Sequence, residues 1–387
     1  MLHYIDKTPI SNKRVLLRVD YNVSFDSHGS IEDDYRITHT IPTIRFLLEQ
    51  DNLLILLSYL GRPTAPDPRF SLAPVVKAFA KFVPGYEVHL IDSVEKLQRE
   101  PNLHSILMFE NTRFFPGEKG NTGTFAKDLS RFGDVYVNDA FSVCHRPDAS
   151  VVGLPALLPS YGGLLLKKEV GTLTEILVAQ KRPFVVIIGG AKVSTKLGAI
   201  KALLAKADTV LVGGGLANTF LKAKGVDIQD SFYEDTMVDA AKEILTEAEA
   251  NKRQLVLPVD FVWGNLQGSH NAILDIGPET RERFKSIIEQ AQMVIWNGPV
   301  GLAEDARYRA GTEATLQAMA ENQSAVTVMG GGDTISLLKG DPNLTKLTHI
   351  STGGGAMLEY IEKGSLPGIE VLKNSKSNPP AGGLSSK

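Results

Sequence analysis

Short apolar, β-branched runs alternate with stretches of helical spacing along the whole chain, and this alternation restricts the fold more than any other feature. Residues 184–188 form an unbroken apolar run too short for a helix, and comparable runs cover 14–19, 53–57, 87–91, 106–109 and 135–137 in the first half. The second half continues with 209–212, 254–257, 293–296, 326–329 and 349–351. Helix-period stretches lie between them, notably 36–50, 72–82, 122–132, 234–250 and 280–290. A strand covered on both faces reads as a continuous apolar run, and reaching a parallel neighbour requires a crossover, usually helical. The expected class is α/β, with two doubly wound, Rossmann-like parallel-sheet domains joined by a hinge helix.

At 387 residues the chain exceeds one comfortable core and suits two domains. The expected division is 1–162 with the tail from about 371 to 387, a joining helix over 163–181, and a second domain over 182–370. The tail from 374 onward is rich in Ser, Pro, Gly and Lys and reads as irregular. A hydrophobic share of 43% and a charged share of 22% fit a soluble globular protein. The net charge of −3 gives no reason to expect nucleic acid or an anionic membrane as partner. A single cysteine, Cys144, rules out an intrachain disulfide. The start MLHYIDKTPI has no signal-peptide pattern, the run 53–60 is too short to cross a membrane, and 151–166 is broken by prolines and glycines. A cytoplasmic location is expected.

In an open parallel sheet, ligands gather at the carboxyl ends of the strands, so the residues after each run matter most. In the first half these are Asp20 and Asn22, Arg62, Arg113, and His145 with Arg146, while Arg36 opens the first helix. Guanidinium forks pair with phosphate and carboxylate oxygens two bonds at a time, so four such arginines suit a small polyanion. In the second half the strand ends are glycine-rich: 189–192, 213–215, 297–301, 330–334 and 353–355. Glycines let a ligand approach the backbone, and helices beginning near Asp333 and Gly355 would aim N-termini at it, as a nucleotide polyphosphate needs. After the run 184–188, Gly189 and Gly190 punctuate the chain and Ser194 opens a helical stretch carrying Lys192 and Lys196. That turn reads as an anion site with free backbone amides, or equally as an ordinary βα turn with two solvated lysines. It lacks the P-loop spacing, and no G-x-G-x-x-G occurs. Asp333 suits a Mg2+ contact and also a helix N-cap. The histidines show no zinc spacing, and Cys144 reads as a core residue.

Taken together, RVDYNVS, SYLGRP, ENTRFFPGE, NDAFSVCHRPDAS, GGAKVSTK, GGGLANTF, WNGPVG, GGGDT and STGGGAMLE resemble the phosphoglycerate kinase family in its own order along nearly the whole chain. The resemblance implies reversible phosphoryl transfer between 1,3-bisphosphoglycerate and Mg-ADP, giving 3-phosphoglycerate and ATP, by a monomer. It implies that Asp20 and Asn22 bond the glycerate, that Arg62, Arg113 and Arg146 hold the remote phosphate with Tyr59 beside them, and that Arg36 bridges the reacting carboxylate and the phosphoryl group in flight. Lys192 would neutralise the transferring group and Lys196 the nucleotide phosphates. Asp333 would hold magnesium, while Gly331, Gly332, Thr334, Gly353 and Gly354 would line the phosphates, the last two beside the reacting group. Gly214, Asn297 and Glu304 would surround the nucleoside. A carboxylate acceptor, with a reference pKa near about 4, is already ionised at neutral pH, so no catalytic base is needed.

Three positions depart from the family pattern. Tyr59 stands where SHLGRP has His, Ser24 where NVP has Pro, and Ala303 where GVFE has Phe. A neutral hydrogen bond is worth roughly 1 kcal/mol against about 1.5 to 3 for a charged one, so Tyr59 is expected either to lower substrate affinity severalfold or, since a histidine is mostly neutral at pH 7, to leave it unchanged. Ser24 and Ala303 are expected to loosen the first loop and the nucleoside pocket. The rival readings are a doubly wound dehydrogenase, disfavoured without a dinucleotide fingerprint, and a nucleotide-binding scaffold that has lost turnover.

Overall fold

The computed structural model describes residues 2–93, 96, 105–179, 181–266 and 269–375. The chain divides into two compact units, one formed by residues up to Gly171 together with the chain from Ser365, the other by Thr172–Gly364.

The first unit is built on six parallel strands: β1 (Arg14–Arg18), β2 (Leu53–Leu57), β3 (Glu87–Ile91), β4 (Ser105–Phe109), β5 (Val135–Asn138) and β6 (Ser160–Gly162). Their order is β3-β4-β2-β1-β5-β6, with Leu16 of β1 level with Ile55 on one side and Tyr136 on the other. β2, β4 and β5 are buried at every position, which is why they read as unbroken apolar runs. Each fully buried Leu or Ile contributes about 1.5 to 3 kcal/mol by leaving water. Helix Tyr35–Leu48 packs its apolar stripe, Ile37, Ile41, Ile44 and Leu48, into the same core as β1 and β2.

The second unit has its own core and a second six-stranded sheet, formed by β7 (Phe184–Ile188), β8 (Thr209–Val212), β9 (Gln254–Val256), β12 (Met293–Asn297), β13 (Val326–Gly330) and β14 (His349–Ser351). The order is β14-β13-β12-β7-β8-β9, again all parallel. Between β9 and β12 lies a hairpin, β10 (Phe261–Leu266) and β11 (Ser269–Ile276), paired antiparallel with register shifts. Two doubly wound parallel sheets are therefore present. The alternation in sequence did not reveal the hairpin, whose β10 is only partly buried and lacks a clean apolar run.

Element ends moved where polar side chains intervened. After β7 the helix starts at Leu197 and not Ser194, because Ser194 gives its amide (2.9 Å) and hydroxyl to Glu234 and caps nothing. The stretch 122–132 shortens to the helix Phe125–Ser130, and 234–250 becomes a 3-10 turn followed by Val238–Ala250. One helix, Leu164–Ala179, carries the chain from one unit into the other. Helix Pro367–Lys373 belongs to the first unit, where the Gly368 amide donates to the Cys144 carbonyl (2.8 Å). The tail beyond residue 375 lies outside the described residues. No helix among the described residues is long and apolar enough to cross a membrane.

The start of Leu164–Ala179 is held by a buried carboxyl. Asp139 accepts from the Leu166 amide (3.0 Å) and from the Thr43 hydroxyl. Burial pushes its pKa up to about 7, against those donors and helped by the buried Glu169. A carboxyl that is harder to ionise folded than unfolded favours the native state at low pH, and that advantage is lost as pH rises through the folded value. Asp139→Asn, which mimics the protonated form, is expected to flatten the fall in melting temperature between about pH 4 and 7. An unchanged slope would remove Asp139 as its source.

Candidate active site

Each sheet reverses its winding beside its first strand, between β1 and β5 in the first unit and between β7 and β12 in the second. The carboxyl ends of those strands form the crevice of a doubly wound fold. In the first unit, Asp20 and Asn22 follow β1, Tyr59 follows β2, Arg113 follows β4, and Ser142 and Arg146 follow β5. Arg36, in the first turn of Tyr35–Leu48, donates from Nη1 to the Asn22 carbonyl (2.8 Å) and the Asp20 carboxylate (3.3 Å). Asp20 also accepts from the Ser142 hydroxyl and the Asn22 amide (3.0 Å). Burial by itself would raise the Asp20 carboxyl, but Arg36, Ser142, the Asn22 amide and Arg18 outweigh it and hold the group below the usual range. Asp20 is thus a buried carboxylate that fixes Arg36.

The loops are clasped by side-chain amides. Asn111 donates from Nδ2 to the carbonyls of Leu60 (2.7 Å) and Phe70 (2.9 Å) and accepts from the Arg113 amide (3.1 Å). Asn22 accepts from the Gly61 amide (2.8 Å), and the Arg113 guanidinium donates to the Gly61 carbonyl. Tyr59 is thereby seated with its ring under three guanidiniums: Arg113 at 4.1 Å from the centroid, Arg146 at 5.2 Å and Arg18 at 5.5 Å. Burial lowers the Arg113 pKa, and the neighbouring Arg146 lowers it further.

Arg18 was missed by sequence reasoning. It is fully buried at the end of β1, donates to the carbonyls of Val19 (3.2 Å) and Leu57 (3.1 Å), and has no carboxylate partner among the described residues. The available signal was a lone arginine inside the apolar stretch LLRV, since a fully buried arginine is rare without a purpose. Arg62 projects into solvent just past Gly61, with no hydrogen bond, ion pair or ring contact among the described residues. Cys144 is buried, with burial pushing its thiol up to about 12, so it is no nucleophile.

In the second unit the loops cross backbone to backbone. The Gly190 amide donates to the Pro299 carbonyl (2.8 Å) and the Gly189 amide to the Asn297 carbonyl (2.9 Å), so these two amides are spent within the fold and not free for an anion. Lys196 turns its Nζ down onto the Gly189 carbonyl (2.6 Å) and the Asn297 side-chain oxygen (2.9 Å). Asn297 in turn donates from Nδ2 to the carbonyls of Gly330 and Gly354, both at 3.2 Å. It is a clasp joining three strand ends. Lys192 and Glu304 are exposed, Gly214 starts the helix Gly214–Ala223 at a φ of 66°, and Gly353 caps the helix Gly354–Lys363. Gly331, at a φ of 118°, precedes the short helix Gly332–Leu337. There the Thr334 hydroxyl is buried with no hydrogen-bond partner among the described residues. The Asp333 backbone lies in the first turn of that helix, and its side chain lies outside the described set.

Residues 5–364 match the family model described as phosphoglycerate kinase. The chain belongs to the phosphoglycerate kinase family. It is therefore an enzyme, a kinase of the glycolytic phosphoryl transfer between bisphosphoglycerate and ADP or ATP. A phosphoglycerate kinase of Chloroflexus aggregans is 41% identical over 389 residues, covering 95% of this chain and 97% of its own. One from Thermus thermophilus is 43% identical over 387 residues, with 93% and 97% covered. The phosphoglycerate kinase structure from Coxiella burnetii matches with a TM-score of 0.83 at 36% identity, over 97% of this chain and 99% of that one. The one from Pyrococcus horikoshii OT3 gives 0.85 at 30% identity, over 96% and 98%. Against the family pattern, Tyr59 has become the centre of a guanidinium cluster and Ala303 a fully buried residue whose carbonyl accepts from Arg309 (2.8 Å).

Proposed function

We propose that the first unit binds 3-phosphoglycerate or 1,3-bisphosphoglycerate, that the second binds Mg-ATP or Mg-ADP, and that transfer proceeds by charge compensation, without a catalytic base. The observation that carries this reading is the pair of buried guanidinium donors left without hydrogen-bond partners among the described residues, Arg18 Nε and Arg146 Nη1, beside one aromatic ring. Buried donors of this kind cost stability unless an acceptor arrives, and a phosphate supplies several acceptor oxygens at once. Arg62, Arg113 and Arg146 would hold the remote phosphate, and Asp20 and Asn22 the glycerate. Arg36, oriented by Asp20, would lie along the carboxylate that donates or accepts the phosphoryl group.

On the second unit, Gly214, Asn297 and Glu304 would surround the nucleoside, and Gly331, Gly332, Thr334, Gly353 and Gly354 would line the phosphates. The Thr334 hydroxyl, without a hydrogen-bond partner among the described residues, supports a ligand at that rim. Lys192 would meet the transferring group and Lys196 the nucleotide phosphates, Lys196 exchanging its carbonyl partners for phosphate oxygens. Oxygen donors alone at this rim fit a hard cation carried mainly by phosphates, with Asp333 the one carboxylate to hold it. Magnesium would supply neutralisation of the nucleotide's charge.

Transfer needs the reacting atoms within roughly 3 to 3.5 Å. We therefore propose that the units close about the segment 164–179 when both substrates are bound, the enzyme acting as a cytoplasmic monomer. A coupled assay with ATP, 3-phosphoglycerate and magnesium tests the activity. Absence of turnover by a folded protein would leave the scaffold reading in its place. Solution scattering should register compaction only with both ligands present, and equal dimensions in all states would exclude closure.

A further inference from the structure

Tyr59 lies at the meeting point of four strand ends. Its own loop follows β2, and the three guanidiniums on its ring come from β1 (Arg18), from the turn after β4 (Arg113) and from the turn after β5 (Arg146). Three cations this close repel one another, and no carboxylate forms a salt bridge with any of the three among the described residues. Two buried carboxylates act on the cluster from farther off: Asp20 on Arg18, though it is bonded to Arg36, and Asp148 on Arg113. What lies between the three cations is the face of an aromatic ring that is 4% exposed, and a ring face attracts guanidinium without cancelling its charge. We propose that Tyr59 is the positioning residue of the phosphate half-site, its ring holding Arg18, Arg113 and Arg146 at fixed spacing before the substrate arrives. This rests on the reading of the first unit as the acid-binding half.

Two further observations support it. The hydroxyl makes no hydrogen bond among the described residues, so the contacts of this side chain within the fold are those of its ring. Burial, reinforced by Asp20, raises its pKa, which keeps it neutral and leaves the positive charge of the site undiminished. A carboxylate here would pair with the arginines and compete with the incoming phosphate. A ring restrains them without occupying their donors, of which Arg18 Nε and Arg146 Nη1 have no partner among the described residues, and this is preorganisation in the binding sense.

The test is direct titration of 3-phosphoglycerate onto the full chain without nucleotide, with steady-state kinetics alongside. Tyr59→Leu is expected to weaken 3-phosphoglycerate about tenfold, as loss of partly desolvated cation–π contacts would. KM for ATP, and kcat at saturating 3-phosphoglycerate, should stay within about twofold. Tyr59→Phe, which keeps the ring, should recover most of the loss, a pattern that general loosening of the fold would not produce. Tyr59→Met, which fills similar space without a π face, carries the same expectation as Leu should Leu impair folding. Arg113→Met separates the two levels of the argument. If Arg113→Met weakens 3-phosphoglycerate and the ringless Tyr59 variants do not, the positioning role is overturned and the half-site stands. If neither does, the half-site reading itself fails.

Discussion

Arg36→Met is expected to lower kcat by about 10² to 10³-fold, the usual cost of removing one preorganised group that compensates charge in a transition state. The KM for ATP should change little, because Arg36 donates to Asp20 and to the Asn22 carbonyl, both in the first unit. The same substitution leaves Asp20 buried without its strongest favourable charge partner. Deleting a hydrogen bond to a charged group costs about 1.5 to 3 kcal/mol, so the melting temperature should fall as well. The sign of the pH effect follows from Asp20. Its carboxyl is held below the ordinary range, so its contribution is present above the unfolded pKa and is lost as the solution is acidified. Without Arg36 that loss should shrink, and wild type and variant should converge in stability toward pH 3. A kcat within threefold of wild type would remove Arg36 from the reacting centre.

Gly354→Ala should reduce kcat/KM for ATP by about 10²-fold, the scale on which a misplacement of about 1 Å is felt. A Cβ at Gly354 would lie 2.4 Å from the Gly331 amide nitrogen and 2.8 Å from Asn297 Nδ2. The first is backbone and cannot swing aside. The second is the clasp that also binds Lys196, so the displacement reaches the loops after β7, β12 and β13 together. Overpacking of this kind costs about 1 to 3 kcal/mol in stability. Gly355→Ala is the matched control. Nothing lies within 4 Å of its Cβ position, and Ala is the better helix former, so activity should hold and stability rise slightly. Wild-type kcat/KM for ATP in Gly354→Ala would mean that the crossing of these loops has no bearing on catalysis.

Much of the fold was legible because burial on both faces leaves a direct trace in composition. The runs 53–57, 184–188 and 209–212 correspond residue for residue to β2, β7 and β8, each buried at every position. β10 and β11 left no such trace, since a half-exposed hairpin with register shifts has neither an unbroken apolar run nor clean alternation. The helix after β7 began late because Ser194 was claimed by Glu234, forty positions away in sequence, and local pattern has no access to such a partner. Among the candidate site residues, Arg113 and Arg146 were visible from their positions after strands, and Arg36 from its place at the start of the first helix. Arg18, inside a strand, looked like an ordinary interruption of an apolar run.

What the amino-acid order determined by itself was the class of fold, the family, and the chemistry at the strand ends, guanidinium in one half and glycine in the other. These follow from local rules: burial selects apolar runs, crossovers need helices, and ligand-facing turns need side chains of a given charge or none. Only the tertiary structure decided which groups are free to act. It committed the Gly189 and Gly190 amides and the Asn297 side chain to the loops themselves, and it gathered three arginines from separate strands over Tyr59. The physical reason is that a donor's availability depends on every acceptor within about 3 Å. Chain neighbours supply few of those acceptors, and the packed sheet end supplies the rest.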